Sequence, residues 1–338
     1  MSYLKVKPLL LYTMTSGLGD YIIMGNLMRK VEKLVPEARC LIAHRGNPHV
    51  KLWPYNSSHK RFFNVYQPQQ ILKLILTLKK ARREGYTVFG LQMAPGSVQG
   101  FFFHLFLKRI KALDFIVDFN LINADIITPP CGNYILDLHL NQVKELFKIR
   151  IPEEFYHLEL PINFKTLVKS PKEEDRIKIG IHPWSRRGYL PCFVWPFEKW
   201  LEVIKFLLQN RQNEIIIFGK DKRFGKLKIY LQSKLGEAGK QIKFNLCNSV
   251  IELVNIIKQM DLIISVNTAV VHIGYALDKK MIILCGPSLD IWTPKGKDIY
   301  IVRDEDALFQ GADKWIKDKR FSTLTRINPV QVLNSIIL

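Results

Sequence analysis

"LIISVNTAVVHIGYALDKKMIILCGPS", residues 262–288, decides the fold. An unbroken apolar run, 262–267, meets the turn Asn267-Thr268-Ala269. A segment with apolar residues at helical spacing follows, and a second apolar run, 281–286, ends in glycine. Continuous rather than alternating hydrophobicity marks strands covered on both faces, as in a parallel sheet. The helix opening at this turn presents backbone N–H groups and the positive end of its dipole, which suits a diphosphate. His272 lies within the first two turns of that helix. A lone histidine on a helix is more often structural than catalytic, but this one faces the crevice where such folds bind ligands.

The same pattern extends outward. Apolar runs at 177–182, 214–219, 262–267 and 281–286 predict strands in the second half, and 9–14, 40–44, 87–93 and 115–119 predict them in the first. Amphipathic segments lie between them: one after the turn near Gly17, one over 71–83, and one over 196–210 with Pro196 at the first helical position. The β-α-β-α order in each half predicts two doubly wound α/β domains. Three prolines and a charged cluster within 151–175 place a linker at about 160–176. The domains are accordingly 1–165 and 176–338, with a last helix that has the option of packing back on the first.

"TMTSGLGDYIIMGNL", 13–27, is the first strand-to-helix turn. Gly17 and Gly19 suit positive φ or close backbone approach. A dinucleotide fingerprint needs a third glycine where this chain has Ile22, and the Lys-Ser/Thr of a P-loop is absent. Asp20 then has two readings: a cap on the following helix, or a carboxylate held at the ligand crevice.

Composition bounds the rest. The chain has 338 residues, 48% of them hydrophobic, which fits two globular domains. No run of about 18 uncharged apolar residues suggests a spanning helix. The apolar start, 8–14, flows into the Gly turn without a cleavage site, so it predicts a first strand rather than a signal and a cytoplasmic protein. The five cysteines are scattered without a C-x-x-C pair, which argues for buried thiols and against zinc ribbons. A net charge of +20 favours polyanionic partners. Because the cations are dispersed along the chain, nucleic acid is not expected. Asp304-Glu305-Asp306 is read as a solvated turn rather than a metal site. In "GFFFHLFLKR", 100–109, the spacing predicts a core-facing stripe of Phe101, Phe102, Leu105 and Phe106. The alternative is an aromatic and basic face toward anionic lipid.

The motifs near Asp20, "GIHPWS" (180–185), "WPFEKWLEVIKFL" (195–207), "VNTAVVHIGYAL" (266–277) and "CGPSLDIWTP" (285–294) together resemble the ADP-heptose:lipopolysaccharide heptosyltransferases of glycosyltransferase family 9. The resemblance spans nearly the whole chain and is strongest from 177 to 294. It implies a GT-B fold, two Rossmann-like domains facing a cleft, with the acceptor in the first and the donor in the second. It implies inverting, metal-independent transfer with Asp20 as general base and Gly17 and Gly19 shaping its turn. The residues expected at the donor, from the resemblance together with the chemistry a diphosphate needs, are His182, Ser185, Arg186, Arg187, Lys220, Asn248, Asn267, Thr268, Ala269 and His272. The implied substrate is ADP-heptose, without a further cofactor. The acceptor is a lipopolysaccharide-core or similar glycan, with peripheral contact at an anionic inner membrane face. The chain departs from the family pattern in reading Asn267-Thr268-Ala269 for Asp-Thr-Gly and Phe193 for a lysine, whose part Arg186 and Arg187 can take. The competing readings are a sugar-nucleotide-binding protein without transfer and a nicotinamide-dependent oxidoreductase.

Overall fold

A computed structural model describes residues 7–14, 17–44, 62–92, 98–118, 124–128, 131–160, 176–185, 193–221, 223–286, 290–304 and 323–337. The chain divides into two compact units, Met1–Pro161 and Ile162–Leu338.

The first unit runs β1 (Lys7–Met14), α1 (Leu18–Leu34), β2 (Arg39–His44), β3 (Phe62–Asn64), α2 (Pro68–Arg83), β4 (Tyr86–Gln92), α3 (Val98–Arg109), β5 (Phe115–Asp118), β6 (Ile126–Ile127) and α4 (Ile135–Phe147). Its strands form one parallel sheet in the order β3-β2-β1-β4-β5-β6. α2 and α3 cover one face, packing Leu74, Leu78, Ala81 and Leu107 on Leu9, Leu11 and Val88. α1 and α4 pack against each other. Beyond α4 the chain returns to α1: Asn26 donates to the Glu159 carbonyl (2.6 Å) and accepts from its N–H (2.9 Å). Lys30 donates to the carbonyls of Phe155 and His157. Burial lowers the Lys30 ammonium to about 8.

The second unit runs β7 (Ile177–His182), α5 (Phe197–Gln209), β8 (Asn213–Gly219), α6 (Phe224–Leu235), β9 (Lys243–Leu246), α7 (Val250–Gln259), β10 (Leu262–Val266), α8 (Ala269–Ala276), β11 (Lys280–Cys285), β12 (Ile299–Arg303) and α9 (Pro329–Ile337). Its sheet is also parallel, ordered β12-β11-β10-β7-β8-β9. Ile181, Ile217, Ile264 and Ile282 are fully buried along it. Burial of each such side chain contributes about 1.5–3 kcal/mol.

The WPFEKW stretch serves this architecture. Trp195 and Trp200 meet edge to face at 4.6 Å, and the Trp195 indole donates to the Ile327 carbonyl (3.1 Å). Lys199 donates to the carbonyls of Thr325 and Ile327 (2.8 and 2.7 Å), tying down the turn that leads into α9. That last helix, allowed by the sequence to return to the first unit, packs on α5, β11 and β12. Pro196 sits one position earlier than expected: it is the N-cap, extended at φ −58° and ψ 146°.

Three further expectations need correction. α3 turns a different face inward: Phe102, Leu105 and Phe106 are 61%, 43% and 47% exposed, while His104 and Leu107 are fully buried. The sheet beneath explains the choice, because Gly90 of β4 has no side chain to occupy the place of the His104 ring. Only Phe101 of the expected stripe packs on the core. Asp304 is not solvated: its side chain is 9% exposed and stands 3.6 Å from Arg326, while 305 and 306 lie outside the described residues. Cys40, Cys247 and Cys285 are buried thiols, but Cys131 is exposed.

Candidate active site

In an open parallel sheet, ligands bind where neighbouring strands depart to opposite sides, at the carboxyl ends. Each unit has one such point. In the first, the order puts it between β1 and β4; in the second, between β7 and β10. The sequence motifs fall on these places.

At the first point, α1 opens at Gly17, and Asp20 occupies the third position of the helix. Its Oδ2 accepts the Gly17 N–H at 3.1 Å, so the capping reading describes a real contact. The glycine is there for closeness, not for positive φ: Gly17 is extended at φ −74°, and a Cβ on it would lie 3.0 Å from Asp20 Oδ2. Gly19 lies within the helix, buried. Next to Asp20, the Tyr21 ring stacks on Phe62 and meets His44 edge-on, both at 5.9 Å. Burial, with the Asp20 charge second, raises the Tyr21 phenol well above its ordinary value.

Sequence reasoning missed Gln92, at the carboxyl end of β4 beside this point. It is 2% exposed, yet neither atom of its amide has a hydrogen-bond partner among the described residues. Gly100 of α3 passes over it so closely that a Cβ would stand 2.9 Å from its Oε1. A buried amide without partners costs about 1–3 kcal/mol, which a polar ligand would offset. A glutamine ending an otherwise apolar strand run was the available signal.

In the second unit the carboxyl ends of adjacent strands carry Thr268 (after β10), His182 (β7), Lys220 (after β8) and, beyond Cys247, Asn248 (after β9). Thr268 is the N-cap of α8, but its side chain makes no cap hydrogen bond, and its Oγ1 is buried without a partner among the described residues. An uncapped helix start with an idle hydroxyl is a ready anion site. Ala269 begins the helix and is partly exposed. His272 and His182 are 6% and 9% exposed, and burial lowers both imidazoles to about 4. They are therefore neutral at pH 7 and can offer N–H dipoles rather than charge. His182 Nδ1 lies 3.4 Å from Ser265 Oγ. Lys220 and Asn248 are exposed, and Ser185 is partly exposed. Arg186 and Arg187, assigned to phosphate from the sequence, lie outside the described residues; Phe193 is half-buried.

Asn267 is held inward. Its Nδ2 donates to Thr293 Oγ1 at 2.8 Å, and that hydroxyl contacts Cys285 Sγ at 3.3 Å. The amide thus ties β10 to the segment after β11. A second unread feature follows β8, where Arg223 clamps Asp221 at 2.8 and 2.9 Å and lies 5.5 Å over the Trp184 ring. Gly219, at φ +137°, permits this: a Cβ there would strike Trp184 at 2.5 Å. Gly219→Ala is expected to lose about 1–3 kcal/mol of stability, read as a lowered Tm. An unchanged Tm would show that the turn relaxes freely.

The family description "Glycosyltransferase family 9 (heptosyltransferase)" matches residues 136–307, half of the chain. No curated protein matches by sequence. Among solved structures, a family 9 glycosyl transferase from Veillonella parvula DSM 2008 aligns with TM-score 0.68 and 14% identity, over 100% of this chain and 98% of the other. The E. coli ADP-heptose LPS heptosyltransferase II aligns at 0.63 and 17%, over 97% of each chain. E. coli heptosyltransferase WaaC, solved with ADP-2-deoxy-2-fluoro heptose, aligns at 0.61 and 13%, over 97% of this chain and 99% of that one. The two doubly wound sheets are those of a GT-B enzyme, and the chain belongs to glycosyltransferase family 9.

Proposed function

We propose that this glycosyltransferase moves a sugar, heptose foremost, from a nucleoside diphosphate donor such as ADP-heptose to a hydroxyl of a lipopolysaccharide-core or similar glycan. The setting proposed is the cytoplasmic face of the inner membrane. The observation carrying the reading is the uncapped start of α8 with the idle Thr268 hydroxyl at the switch point of the second sheet.

The chemistry follows from what these groups can do. The acceptor hydroxyl gives its proton to Asp20 as its oxygen attacks the anomeric carbon from the side opposite the diphosphate. That carbon's bond to the phosphate oxygen breaks, its electron pair leaves with the diphosphate, and the configuration inverts. The negative charge that develops meets the α8 amides, the Thr268 hydroxyl and Lys220, with Arg186 and Arg187 as further candidates. These fixed dipoles and cations do the work a divalent ion would do, so the proposed step uses no metal. Gln92 is proposed to hydrogen-bond the acceptor.

Two expectations test the assignment. Thr268→Val keeps the side-chain shape and removes the hydroxyl, and should weaken nucleoside diphosphate binding by about 0.5–3 kcal/mol in calorimetry, depending on the charge of its partner. Unchanged affinity would remove Thr268 from the donor site. Gln92→Met should leave the fold intact and raise the acceptor KM while sparing nucleotide binding; an unchanged KM would leave Gln92 a purely internal group.

The oxidoreductase reading loses support at Ile22, 5% exposed where a dinucleotide fold needs a glycine for close packing of helix on sheet. Binding without transfer has one point in its favour, the inward turn of Asn267, and is separated from catalysis by the Asp20 variant below.

A further inference from the structure

α2 and α3 both pack on one face of the first sheet, and each leaves apolar side chains exposed on its outer side. On α2, Leu72 and Leu76 are 58% and 59% exposed; on α3, Phe102 is 61% exposed, with Leu105 and Phe106 beside it. Twelve large apolar side chains are exposed among the described residues, and five of them lie on these two helices of one sheet face. Spacings of four and three put each set on one side of its helix. Single exposed apolar residues need no explanation, whereas a contiguous patch does.

Both stripes run into positive charge. Lys79 and Arg83 continue the α2 stripe at its carboxyl end, and Arg109 continues that of α3. Between the two helix ends, at the amino ends of β4 and β5, lies a depression of 760 Å³ lined by Lys79, Arg82, Arg83 and Lys111. Asp114 is the carboxylate in that lining and is already paired with Arg82 at 2.6 Å. Lys79, Arg83, Arg109 and Lys111 make no ion pair among the described residues. The depression opens at the sheet edge opposite Asp20, so it is separate from the crevice that carries the chemistry.

We infer that this face docks the protein on an anionic lipid bilayer, with lipid phosphates in the basic depression and the Leu72, Leu76, Phe102, Leu105 and Phe106 side chains at the acyl boundary. The combination selects the partner. Apolar side chains gain from the acyl boundary, and cations near it gain from anionic headgroups within a Debye length. A nucleic acid would satisfy the cations and leave the phenylalanines in water. A second copy paired by a two-fold axis would cover the stripes but bring like charges together. The inference rests for its purpose on the inner-membrane setting proposed above; its location rests on exposure and charge alone.

The test is co-sedimentation of the full chain with vesicles of phosphatidylcholine, with and without phosphatidylglycerol. Binding should require phosphatidylglycerol and fall with added salt. Lys79→Gln/Arg83→Gln and Phe102→Gln/Phe106→Gln should each lower partitioning by about tenfold or more, while the exposed Ile229→Gln in the second unit should not. Melting temperatures confirm that each variant folds, and the salt series on the unaltered protein needs no variant. Binding indifferent to phosphatidylglycerol, or variants that bind as the parent does, would overturn the inference. So would a parent dimer in light scattering that the Phe102→Gln/Phe106→Gln change dissociates. Stabilisation by inorganic phosphate without vesicle binding would overturn it too, making the depression a site for soluble anions. A nucleoside diphosphate titration of the same samples reports on the donor site separately, so either reading can fail without the other.

Discussion

Asp20→Asn is expected to reduce glycosyl transfer by about 10²–10⁴-fold, mostly in kcat, with little change in stability or nucleotide binding. The structure makes this substitution informative. Asp20 accepts the Gly17 N–H through Oδ2, and the amide oxygen of asparagine can accept the same bond. What asparagine cannot do is take a proton from an acceptor hydroxyl. A small stability loss, about 0.3–1 kcal/mol, follows from removing a negative charge at the amino end of α1. Asp20→Ala should lose both functions: the same fall in turnover and about 0.5–2 kcal/mol of helix capping. Capping and catalysis therefore separate in the asparagine variant and coincide in the alanine one. Near-normal turnover by Asp20→Asn would leave Asp20 a cap and remove the general base.

The second large effect is acid instability. His104, His182 and His272 are buried, and burial lowers their imidazoles to about 3, 4 and 4. The folded state therefore excludes protons that the unfolded chain binds near its ordinary histidine value of about 6.5. A depressed folded value contributes stability that is complete above about pH 6.5 and is lost as pH falls toward 4. At pH 5 each histidine costs about 2 kcal/mol, and the three together about 6, comparable with the whole stability of many domains. Urea unfolding between pH 7.5 and 4.5 should show a steep decline in midpoint across this window. His104 allows a sharper check. Neither of its ring nitrogens has a hydrogen-bond partner among the described residues. His104→Leu should flatten part of the decline while leaving stability near pH 7 unchanged or raised. A midpoint constant down to pH 4.5 would contradict the neutral, buried state of these rings.

The strands that the sequence made legible are the central ones. β1, β2, β4, β5, β7, β8, β10 and β11 are buried over most of their length, so each reads as a largely continuous apolar run. The strands that escaped notice lie toward the sheet margins. β6 has two residues, β3 has three, β9 reads Lys-Phe-Asn-Leu with little of it buried, and β12 is only half-buried over most of its length. An edge strand is fixed by pairing with its neighbour rather than by its own hydrophobicity, so its pattern is weak. α3 misled for another reason. Its packing line is Gly100, His104 and Leu107, which an apolar count passes over, and its phenylalanines are the more conspicuous residues.

The two crevices were legible because their residue types are unusual for the places they occupy. An aspartate after the first Gly turn and a Thr-Ala helix start after an apolar strand both stand out from a buried pattern. Gln92, the Asp221–Arg223 clamp and the Asn267–Thr293 tie were not legible. Each depends on which residues the fold brings together across the sheet, and spacing along the chain carries no sign of that. Asn267 shows the difference most clearly. Read alone it is a residue free to bind sugar; in the fold its amide nitrogen already donates to Thr293.

The most direct test of the central claim, a nucleoside diphosphate sugar bound where α8 opens, is a thermal-shift series with ADP, GDP, UDP, CDP and NAD on the parent and on Thr268→Val. A ligand at one hundred times its Kd stabilises by about 2.7 kcal/mol, enough to move Tm by a few degrees. At least one nucleoside diphosphate, ADP foremost, should raise the parent's Tm, and Thr268→Val should require more of it for the same rise. Stabilisation by NAD with no response to any nucleoside diphosphate would contradict the account.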